Sequence, residues 1–273
     1  MALSPATARL LNLGHALDHL FLLIFATAVT SIAPEFGFAR WEDLLPYSAG
    51  AFLLFGLGSV PAGRLGDLWG RRNMMVIFFF GIGAAALLCA SAQDAWQMAA
   101  ALTLLGAFAA IYHPVGIPML LQQARNPGAT IGFNGLVGNL GIAVAAVLTG
   151  FMVKYVGWRM AFVAPALLSL VCGVLFLHLT PRESESPARR QAKATVPLPP
   201  ALLARLFAVM TCAAVASSLL FNFTTNGNGQ LLRERLAGLV DDPAQLGLLL
   251  AGVYTQVRHF HPVFRSFPRV ASI

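Results

Sequence analysis

His15, Asp18 and His19 lie at i, i+3 and i+4 inside an apolar run, a spacing that sets all three on one face of a helix. A carboxylate beside two imidazoles is a set that can take up and release a proton near neutral pH. A further imidazole, His113, interrupts another apolar run within Tyr112-His113-Pro114. At about 1.5 Å per residue, Asp18 lies roughly 12 Å from the start of its run, and His113, eight residues before Leu121, roughly 12 Å from the end of its own. Asp18 is the one acidic residue deep in any of the first six apolar runs. Ionisable groups so placed are costly in lipid, and a functional reading is the default. The structural alternative is a hydrogen-bonded pair that only ties two helices, worth about 0.6 kcal/mol. His15 lies nearer the end of its run and reads as solvated. His178, at the end of the sixth run, is explained by snorkelling to the interface.

The surrounding elements follow from composition. Hydrophobic residues make up 58% of the chain and charged residues 11%, against about 25% charged in a soluble domain. The charges fall between apolar runs at residues 10–32, 44–62, 73–92, 96–121, 129–153, 160–179 and 202–224, with an eighth run starting near Leu246 and ending near Val257. Each of the seven is close to the 20 or so residues that span a bilayer. In lipid the backbone must satisfy itself within each segment, so continuous apolar runs are helices. They lack the alternation of a membrane β-strand. The fold class is therefore an all-α polytopic membrane protein. The net charge of +7 belongs to membrane-flanking loops, so no nucleic acid partner is expected. Cys89, Cys172 and Cys212 each lie in an apolar run without a CxxC neighbour and read as small core residues. Neither a phosphate-cradling G-x-x-x-x-G-K-[ST] nor a metal-spaced Cys/His set is present along the chain. No metal, nucleotide or other cofactor is expected, and no nucleophile accompanies the histidines, so the chain does not read as an enzyme. The first apolar run is too long for a cleaved signal peptide.

Arginine and lysine set orientation. With the N-terminus in the cytoplasm, Arg9, Arg64, Arg71, Arg72, Arg125, Arg182, Arg189, Arg190, Lys193 and Arg205 lie inside. Only Arg40, Lys154 and Arg159 then lie outside through the sixth span. The organisation read from this pattern is a six-span bundle over residues 1–180, a charged, proline-rich cytoplasmic linker over 181–200, the start of a second bundle over 201–257, and an atypical tail over 258–273. Six spans, a linker and further spans is the plan of many secondary transporters, which place the substrate between two such halves. The tail, with Arg258, His259, His261, Arg265 and Arg269, reads either as an interfacial segment or as the product of truncation or an altered reading frame.

The loop between the second and third spans, Gly63-Arg64-Leu65-Gly66-Asp67-Leu68-Trp69-Gly70-Arg71-Arg72, resembles the G-x-L-a-D-r-x-G-r-[RK] signature of the major facilitator superfamily. The resemblance departs only at Gly66 and Leu68 and covers residues 10–245. It implies that Asp67 and Arg71, with Arg72 beside them, latch the cytoplasmic side, and that Gly63 and Gly70 permit close helix approach. His15-Ala16-Leu17-Asp18-His19, Tyr112-His113-Pro114 and Gly135-Leu136-Val137-Gly138-Asn139-Leu140-Gly141 are similar to the fosmidomycin-resistance-type efflux branch. The fourth-span arginine of many proton-driven members is absent, and a coupling scheme built on it does not transfer. The first and fourth helices line the central cavity in that family, which implies that Asp18 or His19 faces His113.

Gly135, Gly138, Asn139 and Gly141, with Asn134, read as a helix-packing surface. Gly116 and Pro118 loosen the fourth helix, for gating or for packing. Asn222, Asn226 and Asn228 line a vestibule or cap a helix. The expected protein sits in the inner membrane and exports a small organic solute or drug in exchange for protons, with the lipid bilayer, the solute and protons as partners. Half a cavity cannot alternate access alone, so activity calls for a homodimer or a missing C-terminal half. The competing reading is a non-transporting fragment or interaction partner.

Overall fold

The computed structural model describes residues 3–122, 124–183, 186–188 and 199–256. Arg189, Arg190 and Lys193 of the expected linker, the tail beyond residue 256, and the side chains of Asn222 and Asn226 lie outside this description. The described residues form α1 (Pro5–Glu35), α2 (Ala49–Trp69), α3 (Arg71–Ser91) and α4 (Ala95–Ala109, resumed after a widened turn as Ile117–Leu121). These are followed by α5 (Pro127–Tyr155), α6 (Trp158–Leu179), α7 (Pro200–Arg235) and α8 (Pro243–Gln256). Among the described residues, six helical segments are long and apolar enough to cross a membrane. They cover the first six expected spans, the third ending one residue short at Ser91, and the seventh falls within α7.

The ends are written in capping chemistry that hydropathy does not see. Ser4 accepts from the Thr7 amide, with Pro5 at the first helical position, so α1 starts five residues before its apolar run. Asp94 caps α4 through the amides of Trp96 and Gln97, and Asn126 caps α5 through that of Ala129. Between α2 and α3 the chain turns at Gly70, whose φ of +94° suits only glycine without strain.

α1 packs chiefly on α5, α3 on α6 and on α4, and α2 on α4. Phe21, Phe78, Phe79, Tyr112, Phe162 and Phe176 are fully buried among these helices. Lipid is as apolar as this core, so close packing and interhelical hydrogen bonds, rather than transfer from water, hold the bundle. The α1–α5 contact depends on Gly138 and Gly141, where an added Cβ would strike the His15 ring and the Ala16 backbone respectively. Gly135 faces open space and Asn139 is exposed. These two do not pack against a neighbouring helix as expected, because only part of the glycine run faces α1. Cys89 and Cys172 are buried thiols, but Cys212 is exposed on α7 and is not a core residue.

At the end away from the α2–α3 loop, α8 lies against α5. Lys154 pairs with Asp242, whose carboxylate also accepts from the amides of Ala244 and Gln245. The Lys154 hydrogen bond holds the Asp242 carboxyl below the usual carboxylate range. Gln230 of α7 donates to the Ala26 carbonyl at 3.0 Å, and Arg233 bonds the Thr30 hydroxyl. Glu35 accepts from Trp158 Nε1 at 2.7 Å and pairs with Arg159. These contacts draw α1, α5, α6, α7 and α8 together at this end.

Candidate functional site

The helical period of α1 brings Asn12, His15, Asp18 and His19 to one side, facing the point where α4 loses its regular ladder. Pro114 and Pro118 withdraw backbone donors there, and Tyr112–Gly116 forms a turn widened by one residue. Such single-turn widenings are frequent at functional sites. This one sets Tyr112 and His113 against α1.

The Asp18 carboxylate is fully buried, and its Oδ2 lies 3.4 Å from Nε2 of His113, whose side chain is 40% exposed. The pair therefore joins a sealed carboxylate to an imidazole that opens away from the core. A carboxylate without solvent keeps its charge only with a cation beside it. Among the described residues His113 is its ion-pair partner, so the protonation of the two groups is tied together. His19 stacks on His113 at 5.7 Å between ring centroids. His15 meets His19 edge-on at 4.6 Å and His113 at 5.1 Å. The arrangement can hold one or two protons and pass one between α1 and α4. It contains no nucleophile placed against a base.

His15 is 5% exposed, which corrects the reading of a solvated residue near the interface. Its Nδ1 lies 2.9 Å from the Asn134 carbonyl oxygen, and its ring stacks on Tyr112 at 4.8 Å and 15°. Tyr112 donates its hydroxyl to the Leu11 carbonyl at 2.8 Å and accepts from Asn134 Nδ2 at 2.9 Å. Asn134 Nδ2 also donates to Asn12 Oδ1 at 3.0 Å. Asn134 is thus a buried polar link from α5 to both α1 and α4. Tyr112 and Asn12 complete it, and the sequence reading missed their part. The signal for Asn12 lay in its spacing, three residues before His15 on the same stripe.

At the α2–α3 junction, Asp67 near the end of α2 and Arg71 at the start of α3 pair at 3.5 Å across the break at Gly70. Arg72 turns the other way. It donates from Nε to the Thr180 carbonyl at 2.7 Å and from Nη2 to the Leu177 carbonyl. It satisfies the open end of α6, a structural role in place of the expected latch. Gly63 lies against Pro114 of the widened turn, and a Cβ at Gly70 would meet the Glu183 carboxylate. His178 is exposed at the end of α6, as snorkelling requires.

The sequence profile described as Major Facilitator Superfamily matches residues 11–254. The chain is 30% identical over 150 residues to the probable actinorhodin transporter of Streptomyces coelicolor, a match that covers 52% of this chain and 25% of that protein. It is 31% identical over 134 residues to the puromycin resistance protein of Streptomyces alboniger, covering 48% and 26%. With the gallate transporter of Pseudomonas putida the identity is 26% over 169 residues, covering 60% and 37%. The chain therefore spans well under two thirds of the length of these relatives. The crystal structure of the D-xylose-proton symporter superposes with a TM-score of 0.60 at 15% identity, over 92% of this chain and 65% of that one. The likeness is one of fold.

Proposed function

The chain belongs to the Major Facilitator Superfamily, a family of membrane transporters rather than enzymes, and from that premise we propose that it serves proton-coupled export of a small organic solute or drug. The observation that carries this reading is the buried Asp18 carboxylate 3.4 Å from the half-exposed His113 imidazole. A site of this kind changes charge when it takes or gives a proton, and that change biases the packing of α1 against α4. Two relatives, one named a probable actinorhodin transporter and one a puromycin resistance protein, favour export of an organic solute. The three motifs around His15, His113 and Gly138 favour the fosmidomycin-resistance-type branch.

In this reading the N-terminus is cytoplasmic in the inner membrane, because arginine and lysine concentrate on the side of the α2–α3 loop. Residues 1–180 form the first bundle, 181–200 the linker and 201–257 the start of a second bundle. A second copy or a separate C-terminal half completes the cavity. Asp67 and Arg71 act as a cytoplasmic latch, released and reformed in each cycle.

The test is uptake of candidate solutes into inverted membrane vesicles energised by a pH gradient. Uptake that collapses with a protonophore supports the reading. Uptake indifferent to the gradient removes proton coupling, and no uptake with any completed assembly leaves a non-transporting membrane protein instead. Asp67→Asn is expected to lower the maximal rate several-fold and leave the half-saturating solute concentration unchanged. An ion pair of this kind contributes only about 0.2–1 kcal/mol, so thermal stability changes little. Altered affinity at normal rate would remove the latch assignment.

A further inference from the structure

We infer that His15, His19, His113 and Asp18 form a binding site for one divalent transition-metal ion of the zinc, cobalt or nickel class. No metal-spaced set is visible along the chain, but the fold gathers one from two helices. One potential donor nitrogen from each histidine lies within 4.8 Å of the others. With bonds of about 2.0 Å, donors in a tetrahedral site stand about 3.3 Å apart. Asp18 Oδ2 and His113 Nε2, at 3.4 Å, already have that separation. Closing the remaining distance takes side-chain rotation of His19 and His113, both of which are only partly buried.

The orientation of His15 is the second observation. Nδ1–H donation to the Asn134 carbonyl leaves the lone pair on Nε2. That atom is buried and has no hydrogen-bond partner among the described residues, and neither has either oxygen of Asp18. A ring that gives one nitrogen to a backbone carbonyl and keeps the other unsatisfied has the outer-shell arrangement of a metal-ligating histidine. Orphaned buried acceptors are costly, and one four-coordinate ion bound through His15 Nε2 and one Asp18 oxygen would satisfy two of them together. Three imidazoles and one carboxylate suit zinc, nickel or cobalt rather than magnesium or calcium, which take oxygen ligands. The partial exposure of His113 provides access. The inference stands apart from proton coupling, since binding requires no transport.

The purified chain in detergent, with any affinity tag removed and with His259→Ala and His261→Ala to silence the tail imidazoles, is titrated with Co²⁺. The expected result is one equivalent bound, with the intense visible bands of four-coordinate cobalt, bleached by Zn²⁺. His113→Ala and His19→Ala each weaken binding at least about tenfold, the lower end for loss of even an outer-shell partner. Gly138→Ala keeps all four donors but places a Cβ 2.6 Å from His15 Cε1, and it too weakens binding. Monodisperse elution certifies each variant as folded. A folded parent chain without tetrahedral bands overturns the inference, as does binding that survives His113→Ala and His19→Ala combined.

Discussion

Asp18→Asn reduces gradient-driven uptake to the level of vesicles lacking the protein, while expression and solute exchange without a gradient persist. The amide has the shape of the carboxylate and carries no titrating proton, so the cavity around it is unchanged. Removing one partner of a buried ion pair ordinarily destabilises by several kcal/mol, because the other charge is stranded. Here the surviving partner is His113, whose side chain is 40% exposed, so it can be solvated or become neutral. The folded state is therefore retained and the coupling is lost. Asp18→Glu restores a carboxylate one methylene longer and recovers part of the uptake. Wild-type uptake by Asp18→Asn, with unaltered dependence on the gradient, would reduce Asp18 to a tie between α1 and α4.

The pairing behind that prediction was legible before the structure, because two independent rules converged. Helical spacing put Asp18 and His19 on one face and depth along two apolar runs put His113 at their level, while the facing of the first and fourth helices was implied by the family resemblance. The helices themselves were legible for a stronger reason: lipid offers the backbone no other partner than its own chain. The α1 start was missed because Ser4 and Pro5 act through capping, which carries no hydropathy. The burial of His15 was missed because depth was counted along α1 alone. What covers His15 is Asn134 and Gly138 of α5, and nothing local to residues 10–32 announces that crossing. The role of Arg72 was hidden for a similar reason. Its acceptors, the carbonyls of Leu177 and Thr180, lie more than a hundred residues away, whereas the Asp67–Arg71 pair is local and could be read from its spacing. The gathering of three histidines needed both the α1 face and the widened α4 turn. No one-dimensional motif encodes that combination.

Within the α5 glycine run, substitutions at two positions move stability in opposite directions. At about 100° per residue, a step of three falls about 60° short of a full turn, so Gly135 and Gly141 point about 120° apart. They cannot both face α1. A Cβ at Gly141 would stand 2.7 Å from Ala16 Cα and closer still to its carbonyl oxygen, and these are backbone atoms that no rotamer change can move aside. Gly141→Ala therefore forces α1 and α5 apart, at a cost toward the upper end of the roughly 1–3 kcal/mol typical of overpacking. The gain of about 1 kcal/mol from replacing a mid-helix glycine offsets only part of this. At Gly135 nothing lies within 4 Å of the new atom, so Gly135→Ala keeps the propensity gain and raises stability by up to that amount. Thermal unfolding of the detergent-solubilised protein is expected to show a lower midpoint for Gly141→Ala and an equal or higher one for Gly135→Ala. Gly141→Leu extends the loss and displaces the helix that carries His15, Asp18 and His19, so uptake falls with it. Midpoints shifting the same way in the two alanine variants would mean that α1 does not meet α5 through Gly141, and the geometry assigned to the histidine cluster would fall with that contact.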